Sequence, residues 1–496
     1  MLNRTTVEYT LVSLLSVGLF VYGYYNLGIS EDAYIIFEYS KSLAERGIIA
    51  YGEQSHPEDG VTPFLWMLIL TVGLKLTPLS LSIVALSLSA AANVGCYYLL
   101  RRVLNPVLAT VTVFGTLFII GSLTGFATGA FLLLYLSTLM LVLRRESGDV
   151  PLIYGSVLLT CLMRADGLIF LAPIILLQLY WAYQHKHLRE NLLGLMILLV
   201  LPGLVYLAMR ATYFGYVIPN PVLVKSQIGR DFGLFFVYSV RTVGVVAIPC
   251  LVAVWMVYKQ SQDKALTLLT LGVVILPTLY LSSVWSITQN VGLRLEAPIA
   301  YGTLYLVGYV SRKWLIPATL LILVVLFSYL DPEYGITDVM WFHNNDYEAR
   351  FIELAKDLNE LEGEMLVTEA GALAYYTDSW KVRDLWGLND REFIYNKPTN
   401  SSQLAHYDLI ELGCPPALVG ILANGYRENS WEHMCHQVQP LVTKDQFESY
   451  ILRDAYNVEC YSYSPIFYVN RDSKVFQQLR DLLSRYGTTM KECYGR

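Results

Sequence analysis

Two adjacent carboxylates, Glu31 and Asp32, follow the first long apolar run of the chain, in the stretch Ser30-Glu31-Asp32-Ala33-Tyr34-Ile35. Acidic side chains are costly to hold beside hydrocarbon, and where they occur they mark functional sites. A carboxylate so placed can act as general base on an acceptor hydroxyl, a role worth about 10²- to 10⁴-fold in rate. The pair could also hold a divalent cation (Mg²⁺, Mn²⁺ or Ca²⁺) through oxygen ligands, although nothing in the sequence requires one. The surrounding 30–62 stretch is acidic, adding Glu38, Glu53, Glu58 and Asp59 together with His56. Glu53 and Glu58 read as solvated surface, and His56 as a surface histidine, because no second histidine stands at ligand spacing. Asp32, at the end of a span and followed by the apolar run 33–37, reads as the functional group.

Three further clusters could carry chemistry. Arg164 and Asp166 sit between two apolar stretches; an unpaired arginine in the membrane costs about 3 kcal/mol or more, so Arg164 must pair with Asp166 or meet an anionic ligand. The segment 210–226 holds Arg210, Tyr213, Asn220 and Lys225 among the helix breakers Gly215, Pro219 and Pro221. A lysine point charge and an arginine fork suit a lipid phosphate. The turn Gln289-Asn290-Val291-Gly292-Leu293-Arg294-Leu295-Glu296 supplies another arginine among polar neighbours.

These residues need a scaffold, and composition says which. The chain has 496 residues, 55% hydrophobic and 15% charged, with a mean hydropathy of +0.44. That is a polytopic membrane protein. A net charge of −6 without a basic stripe excludes nucleic acid as a partner. Apolar stretches of about 17 to 25 residues lie near 7–29, 80–100, 106–122, 126–143, 150–163, 167–184, 192–210, 234–258, 265–285, 297–310 and 314–330, giving about eleven expected transmembrane helices. The first reads as an uncleaved span, since no small-residue cleavage site precedes the carboxylates. If 63–77 lies in the membrane interface instead of crossing, Arg4, Arg101, Arg102, Arg144, Arg145, Lys186, Arg189, Lys259, Lys264, Arg312 and Lys313 share one side, which the positive-inside rule makes cytoplasmic. Every polar cluster named above then falls outside.

Residues 1–330 are accordingly expected to form the membrane domain and 331–496 a soluble α/β domain on the outer face. Strands are expected over 364–368 and 407–412, and a helix over 354–361. Cys96, Cys161 and Cys250 read as small apolar residues, whereas Cys414, Cys435, Cys460 and Cys493 could form disulfides in an oxidising compartment. A lipid or polysaccharide transporter and a non-catalytic glycan-binding subunit are the competing classes. The first is disfavoured because no internal repeat is evident.

Taken in order, these residues resemble the bacterial GT-C glycosyltransferases that use polyprenyl-phosphate sugars, nearest the branch of the mycobacterial terminal arabinofuranosyltransferases. The resemblance runs through 31–37, Gly47 to Glu53, Asp59-Gly60-Val61-Thr62 with Leu65-Trp66, Arg164 to Gly167, Tyr213 to Lys225, Gly292 to Arg294, Glu369 to Tyr376 and Asp384 to Asp390. It implies a GT-C-like fold in the cytoplasmic membrane, a polyprenyl-phosphate donor, and transfer of a sugar, arabinofuranose in the nearest branch, to a glycan or surface protein. By residue, it implies Asp32 with Glu31 as catalytic carboxylates, with Lys225, Arg294, Arg210 and Arg164 at the donor phosphate. Asp59, Asp166, Tyr213, Asn220 and Gln289 would line the substrate. Two departures stand out. The family's pair usually begins with aspartate where this chain has Glu31, which shifts the catalytic role to Asp32. A Gly-Leu-Glu-Thr turn found in many members here reads Gly125-Phe126-Ala127-Thr128.

Overall fold

The computed structural model describes residues 4–27, 29–52, 56–114, 118–144, 146–227, 250–255, 257–259, 263–284, 294–310, 346–368, 370–412, 437–452 and 466–489. Its N-terminal part is helical: α1 (Arg4–Tyr22), α2 (Glu31–Glu45), α3 (Phe64–Leu76), α4 (Leu81–Leu100), α5 (Pro106–Phe114), α6 (Phe118–Leu123), α7 (Thr128–Arg144), α8 (Val150–Met163), α9 (Gly167–Gln184), α10 (Leu188–Leu195), α11 (Leu201–Tyr213), α12 (Asn220–Gln227), α13 (Lys264–Val284) and α14 (Ala297–Val310). Five helical runs among the described residues are long and apolar enough to cross a membrane: Thr6–Tyr25, Leu81–Leu100, Gly167–Gln184, Leu188–Tyr213 and Lys264–Leu281. The run Leu188–Tyr213 has none of its most apolar window buried, a surface that water would penalise and hydrocarbon would not. Pro202 removes the N–H that would bond the Leu198 carbonyl, and the helix accommodates it in a π turn over Met196–Val200. The expected span 106–122 contains α5 and α6, and residues 115–117 between them lie outside the described residues. The span 314–330 and most of 234–258 lie outside the described residues.

The C-terminal part is an α/β unit with α15 (Asp346–Leu358), α16 (Ala372–Tyr376), α17 (Glu392–Tyr395) and α18 (Phe476–Tyr486). Its strands are β1 (Gly363–Val367), β2 (Trp380–Asp384), β3 (Leu409–Leu412), β4 (Phe447–Leu452), β5 (Ile466–Asn470) and β6 (Gly487–Thr489), in the order β2-β1-β3-β5-β4-β6. The pairs β1–β2 and β1–β3 are parallel, with Met365 opposite Val382 and Leu409; β3–β5, β4–β5 and β4–β6 are antiparallel. Alternate side chains go to opposite faces. Met365, Val367, Leu409, Phe467 and Val469 join a core that continues through Tyr39, Tyr51 and Trp66, while Leu366, Ile410, Ile466 and Tyr468 form a second core on the far face. The strands β1 and β3 thus form where the sequence places them, and the helix expected at 354–361 is α15, which begins earlier. Helix α2 lies on α3, tied by Thr71 Oγ1 donating to the Ser40 carbonyl (3.2 Å) and Ser40 Oγ donating to the Met67 carbonyl (3.2 Å).

Because β1, β2 and β3 run in parallel, their C-terminal ends share one edge, where open α/β sheets usually take ligands. Here that edge meets the 30–62 segment. The Tyr51 hydroxyl donates to the Ala370 carbonyl, and Gly52 packs against Val382. A methyl on Gly60 would run into Asn389, Tyr39 and the Leu388 carbonyl.

Candidate active site

Helix α2 begins at the acidic pair, so both carboxylates occupy its first turn, where the helix dipole favours negative charge. The turn at 124–126 fixes its position. Ser30 N donates to the Thr124 carbonyl (3.0 Å), and the Trp66 indole donates to the Gly125 carbonyl (3.1 Å). Gly125 has φ +91°, and a Cβ there would lie 3.0 Å from the Ala33 side chain, so the turn needs glycine twice over.

The two carboxylates then diverge. Glu31 Oε1 accepts from Gly371 N (2.5 Å) and Ala372 N (2.9 Å), at the start of α16. Burial, and next the Asp32 carboxylate, push Glu31 up to about 8, against the lowering pull of those two N–H groups. Its contacts make Glu31 a docking group between α2 and the α/β unit. Asp32 instead is 54% exposed, with Oδ2 3.9 Å from a guanidinium nitrogen of Arg294, whose side chain is 13% exposed. The Arg294 guanidinium carbon lies over the Phe126 ring, 3.6 Å from its centroid. Burial lowers Arg294 to about 10, opposed by the Asp32 charge, so it remains cationic at neutral pH.

Arg164 supports this pair from the backbone side of Arg294. Its guanidinium grips Asp166 with both arms, at 3.0 and 2.7 Å, and Nη1 donates to the Arg294 carbonyl (3.3 Å). Phe131 and Phe170 stand 4.7 and 5.3 Å from it. Of the alternatives that the sequence leaves open for Arg164, the structure shows the ion pair. Arg164, itself held by Asp166, therefore fixes the Arg294 backbone.

The remaining candidates gather in a second network. Arg210 and Asp59, each with a side chain 3% exposed, form a buried ion pair. Arg210 also donates to the Val217 carbonyl (2.8 Å) and the Tyr206 hydroxyl (2.9 Å), so the structure joins it to Asp59 and not to Arg294. Tyr213 Oη accepts from Ile49 N (2.9 Å). Asn220 donates to Glu58 Oε2 (3.0 Å) and accepts from Arg391 (3.2 Å). Glu58, read from sequence as solvated surface, is 6% exposed and also accepts from the Tyr216 hydroxyl (2.9 Å); two neutral donors compensate its burial, a pairing that residues 158 and 162 positions away could not announce. His56 is at the surface, 3.4 Å from Glu58. The Lys225 side chain, Gln289, Glu53, Cys414, Cys435, Cys460 and Cys493 lie outside the described residues.

Among the described residues, no three His, Cys, Asp or Glu side chains converge as metal ligands. With Glu31 turned to the α16 amides and Asp32 facing an arginine, the pair does not resemble the six or more oxygens a Ca²⁺ takes. Sequence reasoning missed Phe126, Arg391 and the Gly371–Ala372 amides. Phe126 stands beside the position where the resemblance leads one to look for a carboxylate, and the departure there was the available signal.

No family model matches the chain, and no curated protein matches it. Among solved structures it is similar to the crystal structure of an Archaeoglobus fulgidus oligosaccharyltransferase in the apo form, at 10% identity and a TM-score of 0.48, covering 95% of this chain and 75% of that one.

Proposed function

We propose that the protein is a membrane glycosyltransferase that moves a sugar from a polyprenyl-phosphate donor to a hydroxyl of a cell-envelope glycan or surface protein at the outer face of the cytoplasmic membrane. The observation that carries this reading is the half-exposed Asp32 carboxylate facing the largely buried Arg294, at the end of an apolar helix assembly. The sugar best supported by the resemblance is D-arabinofuranose.

The reaction asks for a base and an anion site side by side. The acceptor oxygen forms a bond to the anomeric carbon as the bond from that carbon to the phosphate oxygen breaks, and the hydroxyl proton passes to Asp32. The donor is a phosphodiester and leaves as a phosphomonoester, so negative charge grows on the phosphate during the step. A cation held in place before reaction stabilises that charge without reorganising. Arg294 meets this need: its guanidinium packs over Phe126, and Arg164 holds its backbone. Lys225, carried on α12, is the second proposed phosphate-binding residue. Glu31 keeps α2 docked on the α/β unit and so keeps Asp32 in position.

Donor binding to the full chain in nanodiscs tests the phosphate site. Charged hydrogen bonds contribute about 1.5–3 kcal/mol, so Arg294→Gln should weaken binding of a synthetic prenyl-phosphate pentose roughly 10- to 150-fold. Unchanged donor affinity in Arg294→Gln would remove the site from this position.

A further inference from the structure

An open cavity of about 310 Å³ lies between α2, α15 and the end of α16, lined by Lys41, Lys356, Asn359, Tyr375, Tyr376 and Asp378. Lys41 is nine residues beyond Asp32 on α2. At 1.5 Å and 100° per residue, that places it about 13 Å along the axis and half a turn round. The cavity therefore opens on the side of α2 away from the Asp32 carboxylate, and no group proposed for the transfer step lines it.

We infer that this cavity is a saccharide-binding subsite, distinct from the transfer point, which takes a segment of a glycan chain. Its floor is aromatic: Tyr375 and Tyr376 meet edge to face, with ring centroids 4.8 Å apart at 79°, and Tyr34 backs both at 5.4 and 5.5 Å. Rings braced in this way form a rigid apolar platform with polar tips, the shape that receives the C–H face of a sugar. The rim is polar. Lys41 pairs with Asp378, donates to the Tyr375 carbonyl (3.2 Å) and lies 5.4 Å from the Tyr375 ring centroid. Lys356 stands 5.1 Å from the Tyr376 ring centroid and makes no ion pair among the described residues. Asn359 accepts from Ser379 N (3.2 Å) through its amide oxygen, which leaves the amide NH₂ to donate. Asp378, 58% exposed on its side chain, keeps a second oxygen to accept.

Donors and an acceptor around two rings complement a hydroxyl-rich ring with one apolar face. A purely apolar ligand would strand the rim, and a small inorganic anion would leave the tyrosines unused. The subsite rests on the transferase reading only for the identity of the glycan: the chain bound here would be a distal part of the acceptor, holding it while its growing end reaches Asp32.

The test uses the full chain in nanodiscs without donor, and a synthetic arabinofuranose tetrasaccharide as the probe, with binding followed by saturation-transfer NMR and titration calorimetry. Lys356→Ala, Asn359→Ala and Tyr376→Ala should each raise Kd at least tenfold, while Asp32→Asn binds as wild type does. The first two change exposed side chains, so a folding defect in Tyr376→Ala would not obscure the result. In turnover, Lys356→Ala should raise KM for a long acceptor with kcat retained and leave KM for a monosaccharide acceptor unchanged. No binding of the tetrasaccharide to wild type, undiminished binding in all three variants, or its full displacement by inorganic phosphate would overturn the inference. If wild type transfers no sugar yet the cavity variants lose the tetrasaccharide, the subsite stands and the transferase reading falls.

Discussion

Replacing Asp59 with Asn strands the Arg210 guanidinium in the protein interior. Both side chains are 3% exposed, and the other Arg210 partners are a neutral carbonyl and a neutral hydroxyl. Removing one member of such a pair leaves a buried charge uncompensated and costs about 3–5 kcal/mol. At 1.4 kcal/mol per decade, that is roughly a 100- to 4000-fold fall in the folded-to-unfolded ratio. The double variant Asp59→Asn with Arg210→Met removes both charges and should recover most of the loss. Thermal unfolding of the purified protein, read by tryptophan fluorescence, compares the two single variants with the double one, and donor affinity is measured on the folded fraction of each. The structure makes Arg210 a stabilising group, so the folded fraction should bind donor normally. An Asp59→Asn protein as stable as wild type, or an Arg210→Met protein that is stable but has lost the donor, would refute this and return Arg210 to the phosphate site that the resemblance implies.

Phe126→Ala removes the ring on which Arg294 lies; a cation–π contact is worth about 0.5–2 kcal/mol, so KM for the donor should rise roughly 2- to 30-fold while Arg294 stays in the protein, as steady-state kinetics would show. Glu31 holds its proton up to about pH 8 when docked, against an ordinary value of 4.5. The α2–α16 contact is therefore firmest below pH 4.5 and weakens as pH rises towards 8; protection of the Gly371 and Ala372 amides, corrected for intrinsic exchange, should fall over that window in wild type and stay flat in Glu31→Gln. Gly371→Ala should undock the same contact, because its methyl would meet the Glu31 backbone carbonyl, and limited proteolysis should then cut faster near residue 371.

The helices and the strands β1 and β3 were legible because hydropathy and turn residues are local signals. Asp32 and Arg294 were legible for a related reason: a charge beside a span is conspicuous against an apolar background. What the sequence could not convey was which charge meets which. Arg164 finds Asp166 two residues away, and the pair was open to inspection; Arg210 finds Asp59 across 151 positions, and Glu58 finds its two donors at similar range. Acidic composition in 30–62 therefore suggested water, while the fold uses much of that charge to fasten the segment to α11, α12 and the α/β unit. The divergent fates of Glu31 and Asp32 have the same origin. Neighbours on a helix point about 100° apart, so one carboxylate reaches the α16 amides and the other is left to face Arg294.

The most direct measurement is sugar transfer by Asp32→Asn, reconstituted with a synthetic prenyl-phosphate arabinofuranose and a glycan acceptor, with donor affinity determined on the same preparation. Loss of the general base should cut turnover about 10²- to 10⁴-fold while the donor still binds through Arg294. Product formed at the wild-type rate by Asp32→Asn would contradict the assignment of Asp32 as the group that takes the acceptor proton.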